Sequence, residues 1–423
     1  MKALFIHQNF PGQFKHLACH MATDPANQIV AVMREYAPGL KDAAYDRFAR
    51  QAYRPARDPT PNIHHYLYNI EASVLNGQAV ARLLHGLKCK GFTPDVTFAH
   101  IGWGEALYFK DVFPDRPLIG YCEFYYRARS VDADFDPEFP ITEDDHLRIR
   151  TRNAVTLLSL DACDKGVSPT NWQKGLFPRE YQNKIALIHD GIDVDTAVPN
   201  LRATFTLPKG LVLQKDMEIV TFTARNLEPY RGFHVFMRAV EHICRRRSNC
   251  HVVISGGDDV SYSARLPEQQ TYREKMLGEV SIDPNRVHFI GFLPYADHLN
   301  LLQVSTAHVY LTVPFVLSWS LMEAMATECV VIGSDTPPVR ELLHHGENGL
   351  LVDFFSPEAI ADAVDAAFSH PRRMAHLGAA ARRSVAKKYH VNDALVEYRE
   401  LIEAWIDTGV PTQMPKRRAS KSS

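Results

Sequence analysis

The sequence lacks several features that define common classes of protein. Its seven cysteines are odd in number, are scattered along 423 residues and form no Cys-x-x-Cys pair. This pattern indicates reduced thiols in a cytosolic protein rather than a disulfide framework. The first residues, MKALFIHQNF, reach the polar His7 after four apolar residues, too few for the core of a signal peptide. No apolar run approaches the ~20 residues that span a bilayer.

Strong charge and several catalytic motifs are also missing. The formal net charge is −2 and the pI is near 6.9, which argues against general attraction to nucleic acid or anionic lipid. The absence of Gly-x-Ser-x-Gly, of a P-loop lysine and of Gly-x-Gly-x-x-Gly argues against hydrolase, nucleotide-triphosphatase and dinucleotide-binding functions. Histidine is frequent, but no carboxylate or cysteine completes a metal site at suitable spacing. We therefore expect no bound metal and no cofactor.

Short β-branched and apolar runs alternate with helical patterns along the chain. The predicted strands are residues 3–7, 28–33, 95–100, 117–122, 165–169 and 184–189, and then 218–224, 251–257, 286–291, 308–313 and 329–334. This order predicts an α/β protein with two doubly wound, mostly parallel sheets, that is, two Rossmann-like domains. Ligands bind outside the carboxyl ends of such strands, so we expect the two domains to face each other across a ligand-binding cleft.

The stretch 190–216 breaks the alternation and is interpreted as a linker. The predicted organisation is an N-terminal domain at 1–200, a second domain at 201–390, a helix near 393–407 that packs back on the first domain, and a disordered basic tail at 411–423. The segment 131–145 carries seven acids and no base. Its charge pattern favours a solvated loop, with a mobile flap on one side of the expected cleft as the alternative.

Two loops carry groups that suit phosphate. In HQNFPGQFKHLA a helix is expected to begin near Gln13, where backbone N–H groups attract phosphate and Gly12 permits close approach. A simple Pro-Gly turn is the alternative. In TARNLEPYRGFHVF, Arg225 and Arg231 flank a proline-containing loop at the carboxyl end of a strand. Two guanidiniums there can neutralise a diphosphate, and two exposed surface arginines are the alternative.

One carboxylate lies within the apolar run VPFVLSWSLMEAMATECVVI. A buried carboxylate without a partner costs roughly several kcal/mol, so Glu323 requires one. Ser320 and Glu323 fit a capping box, in which the carboxylate satisfies an N–H group of its own helix. The alternative is that Glu323 accepts hydrogen bonds from the hydroxyls of a ribose.

Taken together, these segments resemble glycosyltransferase family 4, retaining enzymes with the two-domain GT-B fold. NFPGQF is similar to the family's N-terminal glycine loop, and ARNLEPYRG is similar to its Gly-Arg-Leu followed by Lys-Gly. SPTNWQKGLFP and KIALIHDGID resemble the segment that leads into the hinge. RVHFIGFLPYADHLNLL resembles the strand and loop beside the nucleotide base, which implies donor contacts by Phe292 and Leu293. SLMEAMATECVVIGSDTPPVRELLHHGENGLLV resembles the block that closes the second domain, and the resemblance extends to about residue 405.

The sequence departs from the family pattern in the residues that bind the donor sugar. The family's donor motif is a glutamate, seven residues and a second glutamate; Glu323 is the second, and Phe315 occupies the first position. Ser318 stands where glycine is usual, and Arg231 stands where lysine is usual. These departures imply a subfamily with its own sugar site, in which the loop and helix start supply the contacts: Ser318, Trp319, Ser320 and backbone N–H groups.

The resemblance implies metal-independent transfer of a hexosyl unit from a UDP- or GDP-sugar to a glycan or lipid-linked acceptor, with retained configuration, in polysaccharide biosynthesis. Arg225 and Arg231 would stabilise the leaving diphosphate. Many family members have a histidine after the strand at 117–122, where Glu123 lies here, so Glu123 is the candidate acid near the reacting hydroxyl, with Glu105 and Tyr125 as alternatives. The protein would be cytoplasmic, with at most peripheral contact at the inner face of the membrane.

Two other functions remain open at this stage. One is a nucleotide-sugar epimerase on the same fold, which would turn over its substrate without an acceptor. The other is a non-catalytic nucleotide-sugar-binding subunit, which the phenylalanine at 315 suggests. A phosphorylase would require a pyridoxal lysine site, and the sequence shows no such site.

Overall fold

A computed structural model of the chain describes residues 1–35, 47–129 and 131–406. The chain divides into two compact units. The first unit is Met1–Ala128, Ile141–Gly191 and Asn392–Ser423, and the second is Arg129–Pro140 and Ile192–Val391. The predicted tail at 411–423 lies outside the described residues.

In its described part, the first unit contains a seven-stranded parallel sheet with the order β3-β2-β1-β4-β5-β6-β7. Its strands are β1 (Lys2–Ile6), β2 (Gln28–Arg34), β3 (Ala49–Tyr53), β4 (Val96–His100), β5 (Leu118–Tyr121), β6 (Lys165–Ser168) and β7 (Ile185–Leu187). Its helices are α1 (Lys15–Met21), α2 (Tyr68–Cys89), α3 (Phe109–Val112), α4 (Glu143–Arg152), α5 (Ala154–Ala162), α6 (Asn171–Leu176) and α7 (Arg179–Gln182). Helix α15 (Val391–Ile406) also belongs to this unit from Asn392 onward.

Both faces of this sheet are covered. Successive residues of a strand point to opposite faces, and in β1 the side chains of Ala3 and Phe5 enter one core while those of Leu4 and Ile6 enter the other. The first of these cores includes three side chains of α15, namely Tyr398, Leu401 and Ile402. Strands that are buried on both faces read as continuous apolar runs, which is why β1, β2 and β4 stand out in the sequence.

In its described part, the second unit contains a six-stranded parallel sheet with the order β12-β11-β10-β13-β14-β15. Its strands are β10 (Ile219–Asn226), β11 (His251–Gly257), β12 (Val287–Gly291), β13 (Ala307–Tyr310), β14 (Val330–Ser334) and β15 (Leu350–Val352), and β8 (Thr204–Thr206) and β9 (Val212–Gln214) form a separate antiparallel pair. Its helices are α8 (Phe233–Arg246), α9 (Tyr272–Glu279), α10 (Tyr295–Val304), α11 (Trp319–Ala326), α12 (Pro337–Arg340), α13 (Pro357–Ser369) and α14 (Pro371–Lys388).

The predicted α/β class with two Rossmann-like domains is confirmed. In each large sheet, the first strand in chain order lies between the second and the fourth strand of that sheet. The strand order therefore reverses at this first strand. Ligands of doubly wound proteins bind at the carboxyl ends of the strands beside this reversal. The relevant loops are therefore those after β1, β4 and β5 in the first unit and those after β10 and β13 in the second.

Two interpretations of irregular segments were wrong. The predicted linker at 190–216 contains the β8–β9 hairpin, whose Phe205, Leu207 and Leu213 are buried in a small core of the second unit. The acidic segment is not simply solvated. Its residues 131–140 belong to the second unit, and both Asp132 and Asp136 are buried there.

Candidate functional site

Three neighbouring strands of the first unit end in polar side chains that lie in contact. His7 follows β1, His100 is the last residue of β4, and Glu123 lies two residues beyond β5. The imidazole rings of His7 and His100 are 5.3 Å apart between centroids, and Nε2 of His100 is 3.3 Å from Oε2 of Glu123. These side chains meet at the reversal point of the sheet, where a ligand is expected.

A chain of hydrogen bonds fixes the orientation of each group. Nε2 of His7 donates to Oε1 of Gln13 at 2.8 Å, and the Gln13 amide nitrogen donates to Oε1 of Glu123 at 2.5 Å. His100 supplies a second donor to the same carboxylate. The Nδ1 atoms of both histidines accept hydrogen bonds from backbone N–H groups, of Asn9 and of Gly102 respectively. Each imidazole therefore carries its proton on Nε2 and is neutral.

The protonation states agree with this geometry. Burial, and then the neighbouring His100, lower the pKa of His7 to about 3. Burial opposes ionisation of Glu123, but the hydrogen bonds that the carboxylate accepts from His100 and Gln13 favour its charged form, and the pKa of this carboxyl is below its usual value. Because the Glu123 side chain is 26% exposed, its charge is also partly hydrated. The site therefore presents one ionised carboxylate at neutral pH.

The glycine loop packs directly on this cluster. Gly12 has φ of +47°, and a Cβ atom there would lie 2.3 Å from Nε2 of His7, so no other residue fits without displacing the imidazole. A 3₁₀ turn, Gly12–Phe14, leads into α1, close to where the sequence predicted a helix start. The structure thus brings together the predicted residues Gly12, Gln13 and Glu123. His7 and His100 join them, and sequence reasoning did not select these two.

The alternative acids in this region have other surroundings. Glu105 is 1% exposed, receives a hydrogen bond from the hydroxyl of Tyr53, and has a pKa raised by burial. Its burial disfavours direct contact with a ligand. Tyr125 packs on Phe177 at 5.6 Å, and Arg127 lies over its ring at 5.4 Å.

In the second unit, the loop after β10 presents the two predicted arginines in different environments. Arg225 lies near the end of β10, is exposed, and has no hydrogen bond or ion pair with any residue that the structure describes. Arg231 ends a 3₁₀ turn, Pro229–Arg231, and is only 9% exposed. Gly232 follows with φ of +64°, and its missing Cβ allows close contact with Leu311 in the loop after β13. For Arg231, the alternative of an exposed surface arginine was wrong.

The partners of Arg231 within the described residues are all neutral. Its Nη1 atom donates to the carbonyl of Val316 at 2.9 Å, to Oγ1 of Thr312 at 3.1 Å and to the hydroxyl of Tyr310 at 3.4 Å. Burying a guanidinium without an anion costs several kcal/mol, roughly, even when it is hydrogen-bonded. An arginine in this position can bind an anionic ligand, for which a diphosphate is suitable.

A buried glutamate that sequence reasoning missed shapes the same loop. Glu228 is fully buried, and its carboxylate accepts hydrogen bonds from the backbone N–H groups of Ser261, Tyr262 and Ser263 at 2.8–3.2 Å. It thereby joins the loop after β10 to the loop after β11. Nothing in its sequence neighbourhood, NLEPYRG, distinguishes it from a surface glutamate.

Phe315 is a packing residue in this structure. It is 4% exposed, and its ring lies 5.3 Å from that of Tyr230 and 4.8 Å from that of Tyr262. The Arg231 guanidinium lies 5.9 Å from the Phe315 ring and 5.7 Å from the Tyr262 ring. The aromatic rings thus form one wall around the arginine.

Glu323 has a partner outside its own helix. Its Oε2 lies 3.0 Å from Nε2 of His298 on α10, and Tyr295 on the same helix also bonds to it. Burial, and then the neighbouring Glu323 carboxylate, raise the pKa of this tyrosine. The capping-box interpretation was wrong, because Ser318 is the N-cap of α11 and its hydroxyl accepts from the N–H of Ser320. Glu323 is instead a nearly buried carboxylate that α10 holds in place.

The remaining predicted donor residues occupy the ends of β12 and β13. The backbone N–H of Ser318 donates to the Tyr310 hydroxyl at 2.7 Å, which connects Ser318 to the Arg231 cluster, and the hydroxyl of Ser320 bonds to that of Ser318. Trp319 is exposed on α11. After β12, Phe292 is 68% exposed and available for stacking, whereas Leu293 packs against the core beside the hairpin.

The described parts of the chain contain neither a candidate metal site nor a candidate membrane-spanning helix. No group of three or more histidine, cysteine, aspartate or glutamate residues there could hold a metal ion. None of the helices described is long and apolar enough to cross a membrane.

Comparison with known proteins shows which families the two units resemble. The family models "Glycosyl transferase family 4 group" and "Glycosyl transferases group 1" match residues 25–197 and 208–384. The chain has the GT-B fold and is similar to glycosyltransferases of the family 4 type, with each model matching less than half of its length. It is 32% identical over 188 residues to D-inositol 3-phosphate glycosyltransferase of Corynebacterium glutamicum, covering 43% of each chain, and 28% identical over 268 residues to that of Rhodococcus jostii, covering 60% of this chain and 57% of the relative. The chain thus spans about half the length of the curated relatives it matches.

Solved structures share the whole fold. Anabaena HepE in complex with UDP-glucose superposes with a TM-score of 0.68 at 15% identity, over 96% of this chain and 100% of HepE. Sucrose-phosphate synthase from Thermosynechococcus elongatus gives a TM-score of 0.69 at 14% identity, over the same shares of the two chains. At this identity the likeness establishes the GT-B fold alone.

Proposed function

We propose that this GT-B protein is a retaining, metal-independent glycosyltransferase that moves a hexosyl unit from a nucleotide-diphosphate sugar to a hydroxyl of a glycan or lipid-linked acceptor. The observation that carries the proposal is Arg231, a buried cation whose described partners are neutral, placed where the second sheet reverses its strand order. A diphosphate supplies the missing negative charge.

The proposed reaction assigns a role to each of these groups. The bond between the anomeric carbon and the diphosphate oxygen breaks, and its electron pair leaves on the phosphate. An acceptor oxygen bonds to the anomeric carbon from the same face, and the proton of that hydroxyl leaves with the diphosphate. Arg231 and Arg225 stabilise the leaving charge, and each such donor contributes a factor on the order of 10²–10³ in turnover. Glu323 receives the ribose hydroxyls, and the exposed ring of Phe292 stacks on the base.

Donor identity is the first quantity to measure. HepE binds UDP-glucose, so UDP-glucose is the first donor to test, followed by GDP- and ADP-sugars. A ligand that binds only the folded state adds about 2.7 kcal/mol of stability at a hundredfold excess over its dissociation constant, so thermal denaturation detects binding of each nucleotide. A pool of neutral and phosphorylated sugars then serves as acceptor, and products are identified by mass spectrometry.

The matched variants for this assay are Arg225→Ala and Arg245→Ala. Arg245 is an exposed arginine on α8 that pairs with Glu241, so its loss removes the same charge away from the strand ends. The proposal predicts that Arg225→Ala remains folded and loses transfer, while Arg245→Ala retains it. Full activity of Arg225→Ala contradicts the assignment. Nucleotide binding by the wild type without any transfer or hydrolysis would instead indicate a binding subunit, and turnover without an acceptor would indicate an epimerase.

A further inference from the structure

The side chains of His7, Gln13, His100 and Glu123 form a cluster at the carboxyl ends of the strands in the first sheet. This cluster has a defined net charge. Glu123 is ionised, and its carboxylate accepts hydrogen bonds from Gln13 and His100. The Nδ1 atoms of His7 and His100 accept from backbone N–H groups, so both rings are neutral. The cluster therefore carries one negative charge that no cation within it compensates.

The carboxylate retains capacity for a ligand. An ionised carboxylate has about four lone-pair positions, and the two donors from the protein use two of them. The Glu123 side chain is 26% exposed, whereas His100 is 3% exposed, so the group that a ligand can reach is the carboxylate. Trp103 stacks on His100 with 3.7 Å between ring centroids and shields the far side of that ring.

This arrangement suits hydroxyl donors and opposes anions. A sugar hydroxyl can donate to the free positions of Glu123, whereas a phosphate group beside that hydroxyl would place like charges a few ångströms apart in a partly desolvated site. Gln13 and the neutral imidazoles supply no compensating positive charge.

We propose that Glu123 makes the first unit selective for an uncharged polyhydroxyl acceptor and excludes acceptors whose reacting hydroxyl lies next to a phosphate. The inference rests on the proposed function and names the substrate class of its acceptor site. His100 and Gln13 are positioning residues for this carboxylate. The inference also predicts that this chain differs in its class of acceptor from the relatives named D-inositol 3-phosphate glycosyltransferase.

The test compares matched acceptors with and without phosphate. The pairs are myo-inositol with inositol 3-phosphate and glucose with glucose 6-phosphate, and transfer from UDP-glucose is measured as product formed per unit time. Three proteins are compared: wild type, Glu123→Gln and Asp115→Asn. Asp115 is exposed in the turn before β5, at the amino ends of the strands. Its substitution therefore changes the net charge by the same amount without contacting the cluster.

We expect the wild type to prefer the neutral member of a pair by about tenfold or more at low salt. Glu123→Gln should reduce that ratio by about tenfold, and Asp115→Asn should leave it unchanged. A second measurement needs no variant. The wild-type ratio should fall between about 0.02 M and 0.5 M salt, because ions screen repulsion at a partly exposed charge.

The outcomes separate the two proposals. Preference of the wild type for the phosphorylated member, or an unchanged ratio in folded Glu123→Gln, overturns the inference and leaves the proposed function intact. If Glu123→Gln does not fold, a wild-type ratio that is independent of salt overturns the inference. Transfer to none of the four sugars, together with no hydrolysis of UDP-glucose, overturns the proposed function, and the inference with it.

Discussion

Nε2 of His298 lies 3.0 Å from Oε2 of Glu323, so the start of α10 fixes a carboxylate that projects from α11. Tyr295, one turn before His298, bonds to the same group. The carboxylate is therefore oriented before a ligand arrives, which lowers the entropic cost of binding. This arrangement fits a group that accepts the two hydroxyls of a ribose.

We expect Glu323→Gln to weaken UDP binding by about five- to thirtyfold. A hydrogen bond to a charged acceptor contributes roughly 1.5–3 kcal/mol, and the amide retains only the weaker, neutral part of it. Isothermal titration with UDP measures this change. Glu347→Gln is the control, because Glu347 is an exposed carboxylate in the same unit. If both variants bind UDP equally well, Glu323 has only a role in joining α10 to α11.

Arg231→Met should separate stability from activity. A buried guanidinium with neutral partners costs desolvation energy, so replacing it with an apolar side chain of similar length should leave the unfolding free energy unchanged or higher. Loss of a donor to the leaving diphosphate should reduce turnover by ~10²–10³-fold. Urea denaturation and initial rates measure the two effects, with Arg245→Met as the control. A variant that is destabilised by several kcal/mol yet fully active would contradict this account.

The central strands could be predicted because they are buried on both faces and therefore read as apolar runs. Strands β3, β8, β9 and β15 were missed. β3 has the sequence ARQAY, lies at the sheet edge and is mostly exposed, so no hydrophobic pattern marks it. The other three span three residues each, which gives little periodic signal. β7 is equally short, but it was predicted because it lies in the longer run KIALIH.

The sequence predicted the loops that form the candidate site, but it did not predict all of the side-chain contacts within them. Gly12, Gln13 and Glu123 were each selected, but the histidines between them were not, because a single histidine at a strand end forms no motif. The sheet order supplies the missing signal. Residues that follow adjacent parallel strands lie close together at the carboxyl ends of those strands. His100 ends β4, which lies between β1, the strand before His7, and β5, the strand before Glu123. The sequence offered no comparable signal for the His298–Glu323 contact.

Phe315→Glu tests whether this position sets the choice of donor. The introduced carboxylate would lie beside the Arg231 guanidinium, which is 5.9 Å from the present ring, and would compete with the diphosphate. We expect UDP affinity to fall at least tenfold, roughly, with no change in sugar preference. Phe315→Leu removes the ring without adding charge and should cost about 1–2 kcal/mol of stability. A new sugar preference at unchanged UDP affinity would show that Phe315 governs donor choice.

Asp136→Asn should release the acidic segment from the second unit. The Asp136 carboxylate lies 2.9 Å from Nε2 of His234 on α8, and both side chains are buried. The substitution removes a carboxylate oxygen from this buried contact, and a buried polar group left without a partner costs about 1–3 kcal/mol. The matched control is Glu138→Gln, since Glu138 pairs with Arg238 at a more exposed position and should contribute about 1 kcal/mol or less. Hydrogen exchange of the peptide covering 131–140 should rise strongly only in Asp136→Asn.

Buried neutral histidines should make the fold sensitive to acid. Burial lowers the pKa of His7 and of His308 to about 3 in the folded protein, whereas the unfolded chain titrates near 6.5. Their contribution is complete above pH ~6.5 and is lost as the pH falls toward 3, because only the unfolded state takes up protons in that window. Each histidine should remove about 1.4 kcal/mol of stability per pH unit below ~6.

His308→Asn isolates one of these contributions. His308 is fully buried and bonds to Thr221, so the substitution should lower stability at pH 7. It should also reduce the slope of unfolding free energy against pH, between about 6 and 4, by about 1.4 kcal/mol per pH unit. His376→Asn, at an exposed position of α14, should leave the slope unchanged. Urea denaturation at several pH values measures the slopes, and equal slopes for wild type and His308→Asn would show that His308 does not remain neutral in the acidified fold.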